Sequence, residues 1–159
     1  MTFLEKFRAT LSVRAFGFFK IPLIFYVSPF IEEFNNERCV VRIPLNRRTR
    51  NHLKSMYFGV LATGADCAGG LMAMRLIEKS GQKVSLVFKD FKAEFLKRAE
   101  GDVLFSCEDG TAIRNLVDQA VISDDRVNLT VHVTATVPSL LGTEPVALFE
   151  LTLSIKKKS

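Results

Sequence analysis

Residues 50–70 read RNHLKSMYFGVLATGADCAGG, and the way this stretch is taken decides what the rest of the chain can be. From Ser55 to Met74 every residue is apolar, small or hydroxylic except one carboxylate, Asp66. The run is long enough to cross a bilayer. A lone acid at its centre, together with Gly59, Gly64, Gly69 and Gly70, favours a helix buried in a protein core instead. The pattern predicts that helix from about Met56 to Lys79, with Ser55 as its cap and Gly81 as its C-terminal stop. A helix apolar on all sides needs covering on all sides, so the flanking sequence has to wrap it.

The flanks supply strands. Val127, Leu129, Val131, Val133, Ala135 and Val137 alternate with Asn128, Thr130, His132, Thr134 and Thr136, and Ala147 to Ile155 repeats the pattern. Such alternation marks antiparallel strands with one covered and one polar face. Lys83–Leu96 has β character with a register slip near Asp90, and Asp102–Cys107 is a further strand. Phe30–Phe34 and Arg38–Ile43 flank Asn35-Asn36, a pair suited to a hairpin turn, and Pro44 closes the second strand. Thr111–Ile122 reads as a short helix. Phe3, Leu4, Phe7 and Leu11 recur at helical spacing among Glu5, Lys6 and Arg8, so residues 1–20 open with an amphipathic helix. Its apolar stripe is expected to pack on its own domain, with membrane contact through its phenylalanines as the weaker alternative. The inventory is an α+β class, a curved antiparallel sheet around one long helix, in one domain over residues 1–159.

Bulk properties narrow the class further. Hydrophobic residues make up 48% and charged residues 25% of the 159, which argues for a globular core and against disorder. The net charge of +5 favours an anionic partner, although Lys156, Lys157 and Lys158 supply much of the excess. Basic residues do not interleave with aromatics on any strand, so nucleic acid is not expected. Cys39, Cys67 and Cys107 fit no zinc or redox spacing and read as buried thiols of a reducing compartment, which points to the cytoplasm. Lys20 and Pro22 interrupt the apolar stretch Phe16–Phe30, so it does not read as a signal peptide. No nucleophile elbow, phosphate-binding glycine loop or metal-ligand cluster is present in the sequence, and neither cofactor nor metal is expected.

The same central stretch carries a resemblance. Small phenylacetyl-CoA-type thioesterases of the hot-dog fold have an Asn, a loop ending in His-Gly-Gly, and a helix with an acidic residue two turns in. Here Asn51 precedes Asp66 at that spacing and Gly59 falls on the second glycine, while Tyr57 and Phe58 stand where the family has His and the first Gly. The run RTRNHLKSMYFGVLATGAD resembles still more closely a divergent hot-dog family of thioesterase-like proteins, domain of unknown function 4442. The resemblance implies an acyl-CoA or acyl-carrier thioester as substrate and a homodimer or tetramer with sites at the subunit interface. It implies Asp66 as general base or nucleophile, Gly59 as the backbone N–H donor to the thioester carbonyl, and Asn51 as a shaper of the site. Met56, Tyr57, Phe58, His52 and Arg50 become candidate substrate contacts. The Tyr57-Phe58 departure keeps a second reading open, a non-catalytic acyl-CoA or lipid-binding protein that has kept the fold and lost the chemistry.

Elementary chemistry supports the same residues. Thioester hydrolysis needs a base and a group that holds the developing oxyanion, and a helix N-terminus offers unpaired N–H groups and a favourable dipole. Asp66 follows Gly59 by about two turns, so both share a face roughly 10 Å apart. A carboxylate in apolar surroundings has a raised pKa, which suits a base working near neutrality. The alternative for Asp66 is an ordinary structural partner, a backbone N–H or a basic side chain. Arg47, Arg48, Arg50 and Lys54 have two readings as well, as contacts for coenzyme A phosphates or as a solvated loop.

Overall fold

The chain from Phe58 to Ser80 is one unbroken helix, and it ends where Gly81 turns left-handed at φ 66°. The computed structural model describes residues 1–158. Two helices, α1 (Phe3–Lys20) and α2 (Pro22–Val27), lead into a hairpin of β1 (Phe30–Phe34) and β2 (Cys39–Ile43). The central helix α3 (Phe58–Ser80) is followed by β3 (Val84–Phe95), β4 (Val103–Cys107) and α4 (Gly110–Ile122). Strand β5 (Val127–Thr136), the single turn α5 (Pro138–Leu141) and β6 (Pro145–Lys157) complete the chain. The strands form one antiparallel sheet in the order β1-β2-β4-β5-β6-β3.

Helix α3 packs across this curved sheet, touching β2, β4, β5, β6 and β3 in turn. Its most apolar window has a mean hydropathy of 1.3 and is 61% buried, as befits a core helix. Val60, Leu61, Ala65, Ala68, Met72 and Ala73 meet Phe105, Phe149, Leu151 and Leu153 from the strands. Small residues on α3 let the helix lie close to the sheet. A Cβ at Gly64 would overlap the ring of fully buried Phe105. Gly64→Ala is therefore expected to lower stability by about 1–3 kcal/mol, read from the urea midpoint, even though alanine is the better helix former.

The structure bears out the expected hot-dog arrangement and most of its elements. The slip predicted near Asp90 appears as an irregularity between Phe88 and Asp90 in the β3–β6 register. Three details differ. Helix α3 starts at Phe58, not Met56, and its cap position is Tyr57 with no side-chain bond, because the Ser55 hydroxyl is engaged by Asn51. Helix α2, hidden in the apolar run Phe16–Phe30, begins with Pro22 at its first position, where the missing N–H costs nothing.

The third difference concerns α1. Its predicted apolar stripe does not pack on the domain: Phe3 is 85% exposed, and Leu4, Phe7 and Leu11 are each more than half exposed. The inward face is instead the one carrying Thr10, Val13 and Gly17. A Cβ at Gly17 would come within 2.6 Å of the Phe25 nitrogen, so the close crossing of α2 fixes which side of α1 faces in. Thr10 accepts the Ile31 N–H at 2.9 Å and Lys6 meets Glu32 at 3.5 Å. Helix α1 thereby covers the β1 edge of the sheet. The opposite edge, β3, has no such cover.

Candidate active site

The site begins with the loop that delivers the chain to α3. Buried Thr49 donates to the Pro44 carbonyl at 2.7 Å and accepts the Asn46 N–H at 2.9 Å. Met56 N–H reaches the Ala99 carbonyl and Tyr57 N–H the Thr49 carbonyl, both at 2.8 Å. Asn51 closes the turn between these anchors. Its side-chain oxygen accepts from Leu53 N–H at 2.9 Å and Ser55 N–H at 3.2 Å, and its amide nitrogen donates to the Ser55 hydroxyl at 3.1 Å. Asn51 thus shapes the loop, its side-chain oxygen and nitrogen both bonded within it.

The first turn of α3 leaves two donors free. Val60 and Leu61 N–H both reach the Tyr57 carbonyl, at 2.9 and 3.1 Å, whereas those of Phe58 and Gly59 find no acceptor among the described residues. Both free groups lie at the positive end of a long helix dipole. The Tyr57 ring lies over Gly59, so close that a Cβ there would sit 2.7 Å from Tyr57 Cε1. Tyr57 and Phe58 are exposed, with ring centroids 4.8 Å apart. Met56 belongs to the core at 3% exposure, which leaves its side chain no open surface within the single chain.

Two turns on, Asp66 lies half-buried on the same helical face. Burial alone pushes its carboxyl from an ordinary 3.8 up to about 6, since no cation or hydrogen-bond donor offsets the loss of water. Between the two, Thr63 turns back to donate to the Gly59 carbonyl at 2.8 Å. Beyond Asp66, Gly70 opens the space beside the acid. A Cβ at Gly70 would lie 3.3 Å from Asp66 Oδ1 and 3.3 Å from Cζ of Phe88 on β3. Sequence reasoning did not assign Phe88 or Gly70 to the site. The glycine four residues after the acid was the available signal, because that position stacks on Asp66 in a helix.

The remaining candidates lie at the surface. Arg47, Arg48, Arg50, His52 and Lys54 are exposed, and none forms an ion pair among the described residues. The Arg48 guanidinium lies 5.7 Å from the centroid of Tyr26. His132 is exposed on β5 and takes Asp109 as partner through its backbone N–H at 2.7 Å. Cys39, Cys67 and Cys107 are buried and unpaired, each with its thiol pushed up by burial. Among the described residues no group of three or more His, Cys, Asp or Glu is placed to hold a metal ion.

Two large cavities lie away from Asp66. One of about 580 Å³ runs between α1, β1 and the far half of α3; another of about 780 Å³ lies on the sheet around Arg38 and His132. Neither is lined by Asp66 or Gly59. Asp66 instead lies on the side of α3 where Gly70 meets Phe88 of the uncovered strand β3, along which Phe91 and Phe95 are exposed.

Solved structures share this architecture. A protein of unknown function from Chlorobaculum tepidum superimposes with a TM-score of 0.81 at 14% identity, covering 96% of this chain and 97% of its own. A Pseudomonas aeruginosa protein described as a "Probable Thioesterase" gives 0.76 at 21% identity, covering 94% and 96%. A Haemophilus influenzae thioesterase gives 0.64 at 15% identity, covering 85% and 82%. At such identities the likeness speaks for the fold, which is the hot-dog fold. No curated protein matches the sequence. A family model does match it over residues 9–146, and the chain belongs to that family, Domain of unknown function (DUF4442).

Proposed function

We propose that the protein hydrolyses an acyl thioester carried by coenzyme A or an acyl-carrier arm, with Asp66 as general base or nucleophile. The observation that carries this reading is a desolvated carboxylate without a partner, on the same face of α3 as the free N–H groups of Phe58 and Gly59. The amides would hold the carbonyl oxygen as it gains charge, and Asp66 would take a proton from the attacking water or attack the carbonyl itself. Asn51 keeps the loop in place so that those amides stay aimed outward. The unpaired cations Arg47, Arg48, Arg50 and Lys54, with His52 among them, would meet the phosphates of the carrier.

A second copy of the chain would complete the site. The β3 edge is long and uncovered, with Phe88 beside Asp66 and Lys89, Asp90, Lys92 and Glu94 exposed along it, and pairing it with its counterpart would enclose the acid between two protomers. The buried free thiols fit a reducing cytoplasm.

The test is thiol release from acyl-CoAs over a range of chain lengths and pH. Turnover of at least one chain length is expected, with kcat/KM rising as pH passes about 6, where Asp66 loses its proton, and level above that. One observation favours the second reading, a non-catalytic acyl-binding protein. The Tyr57 ring lies against Gly59 where a Cβ would be, and so narrows the space beside its N–H. Saturable binding of acyl-CoA without release of thiol at any chain length would select that reading.

A further inference from the structure

Helix α1 is apolar on two faces, and only one of them is used. Its inner face is locked to the sheet through Thr10 and Val13 and to α2 through Gly17, so the outer stripe of Phe3, Phe7, Leu11 and Phe18 cannot turn inward. At the C-terminal end this stripe runs into an exposed aromatic cluster. The Phe18 ring meets Phe19 at 5.1 Å and Phe25 at 5.3 Å, edge to face, and Phe19 is 77% exposed. Exposed apolar area of this extent on one element of a protein marks a docking surface.

Charge decides what docks there. Lys6 is paired with Glu32 and Arg14 donates to the Pro29 and Ser28 carbonyls, which leaves Arg8 and Lys20 as the free bases between Met1 and Val27; the one acid there, Glu5, is tied into the capping box with Thr2. Arg48, against Tyr26, adds a further cation at the α2 end. Two copies of so basic a surface repel when brought face to face. An anionic bilayer attracts it and also accepts phenylalanine and leucine below the headgroups. We infer that the outer face of α1 and α2 is a peripheral membrane anchor for anionic phospholipid surfaces. The helices lie in the interface plane, with the phenylalanines inserted and Arg8, Lys20 and Arg48 at headgroup level. The inference does not depend on any chemistry at Asp66.

Flotation with phosphatidylcholine vesicles, with and without phosphatidylglycerol, tests it on the full chain. The protein is expected to float with the mixed vesicles, much less with phosphatidylcholine alone, and less as salt is raised. Phe7→Glu combined with Leu11→Glu is expected to reduce the bound fraction at least about tenfold, with an unchanged circular dichroism spectrum and an unchanged mass in solution. Arg8→Gln with Lys20→Gln leaves every apolar side chain in place and must lose most of the preference for anionic vesicles. Absence of wild-type flotation, or equal flotation of the charge-reversed stripe, overturns the inference. So does a fall in solution mass in the Phe7→Glu, Leu11→Glu protein, since the stripe would then join copies of the chain.

Discussion

Asp66→Asn is expected to abolish thioester hydrolysis and, above about pH 6, to make the protein more stable. A general base that loses its charge takes roughly 10²–10⁴-fold of rate with it. The stability gain has a separate origin. Unfolded, Asp66 releases its proton near 3.8; folded, it holds the proton until about 6. The folded chain therefore binds more protons between those values, and stability present below about pH 4 is lost as pH climbs past 6. The rise corresponds to about 3 kcal/mol, the cost of ionising a carboxylate away from water. Asparagine fills nearly the same volume and never ionises, so it avoids that loss. Thermal melts of both proteins at pH 4 and pH 8 check it. The variant should match wild type at the lower pH and melt several degrees higher at the upper one. A variant less stable at pH 8 would mean that Asp66 has a favourable partner, and the account of a strained base would fail.

Phe91→Lys is expected to give the second large effect, by charging the uncovered edge of the sheet. The Phe91 ring rests 5.8 Å from Phe149 and is 44% exposed, so a lysine stem can keep part of that contact while its ammonium reaches water. The variant adds a third cation beside Lys89 and Lys92 and removes an apolar side chain from the seam, and like charges facing each other across it oppose pairing of the strand with its own copy. Sedimentation should show wild type as a dimer or tetramer and the variant as monomer, with a native circular dichroism spectrum. If the site needs two protomers, hydrolysis falls at least about tenfold, although Asp66 and Gly59 are untouched. A monomeric wild type, or a monomeric variant with full turnover, would remove the second copy from the account.

How much of this was legible in the sequence depends on how local the deciding physics is. The central helix was legible because a lone acid among small and apolar residues is inconsistent with lipid and with an exposed surface. The β3 slip was legible because a change of face at Asp90 leaves its mark in the alternation. The outward stripe of α1 was not. Periodicity reports that a face is apolar, and with two apolar faces only tertiary packing, here the contact of Gly17 with α2, decides which one is buried. The start of α3 shifted for a similar reason: Ser55 has the chemistry of a cap but is claimed by Asn51 four residues earlier. At the site, the desolvation of Asp66 followed from its neighbours in sequence. Phe88 beside it did not, because that contact depends on the register of β3 against α3.

The most direct test of the central claim is a carbon-detected NMR titration of the Asp66 side-chain carboxyl in the wild-type protein. A midpoint near 6 is the result predicted for a carboxylate partly withdrawn from water and left without a cation. A midpoint at or below 4 would show that the acid is solvated or ion-paired, and would contradict the reading of Asp66 as a poised base.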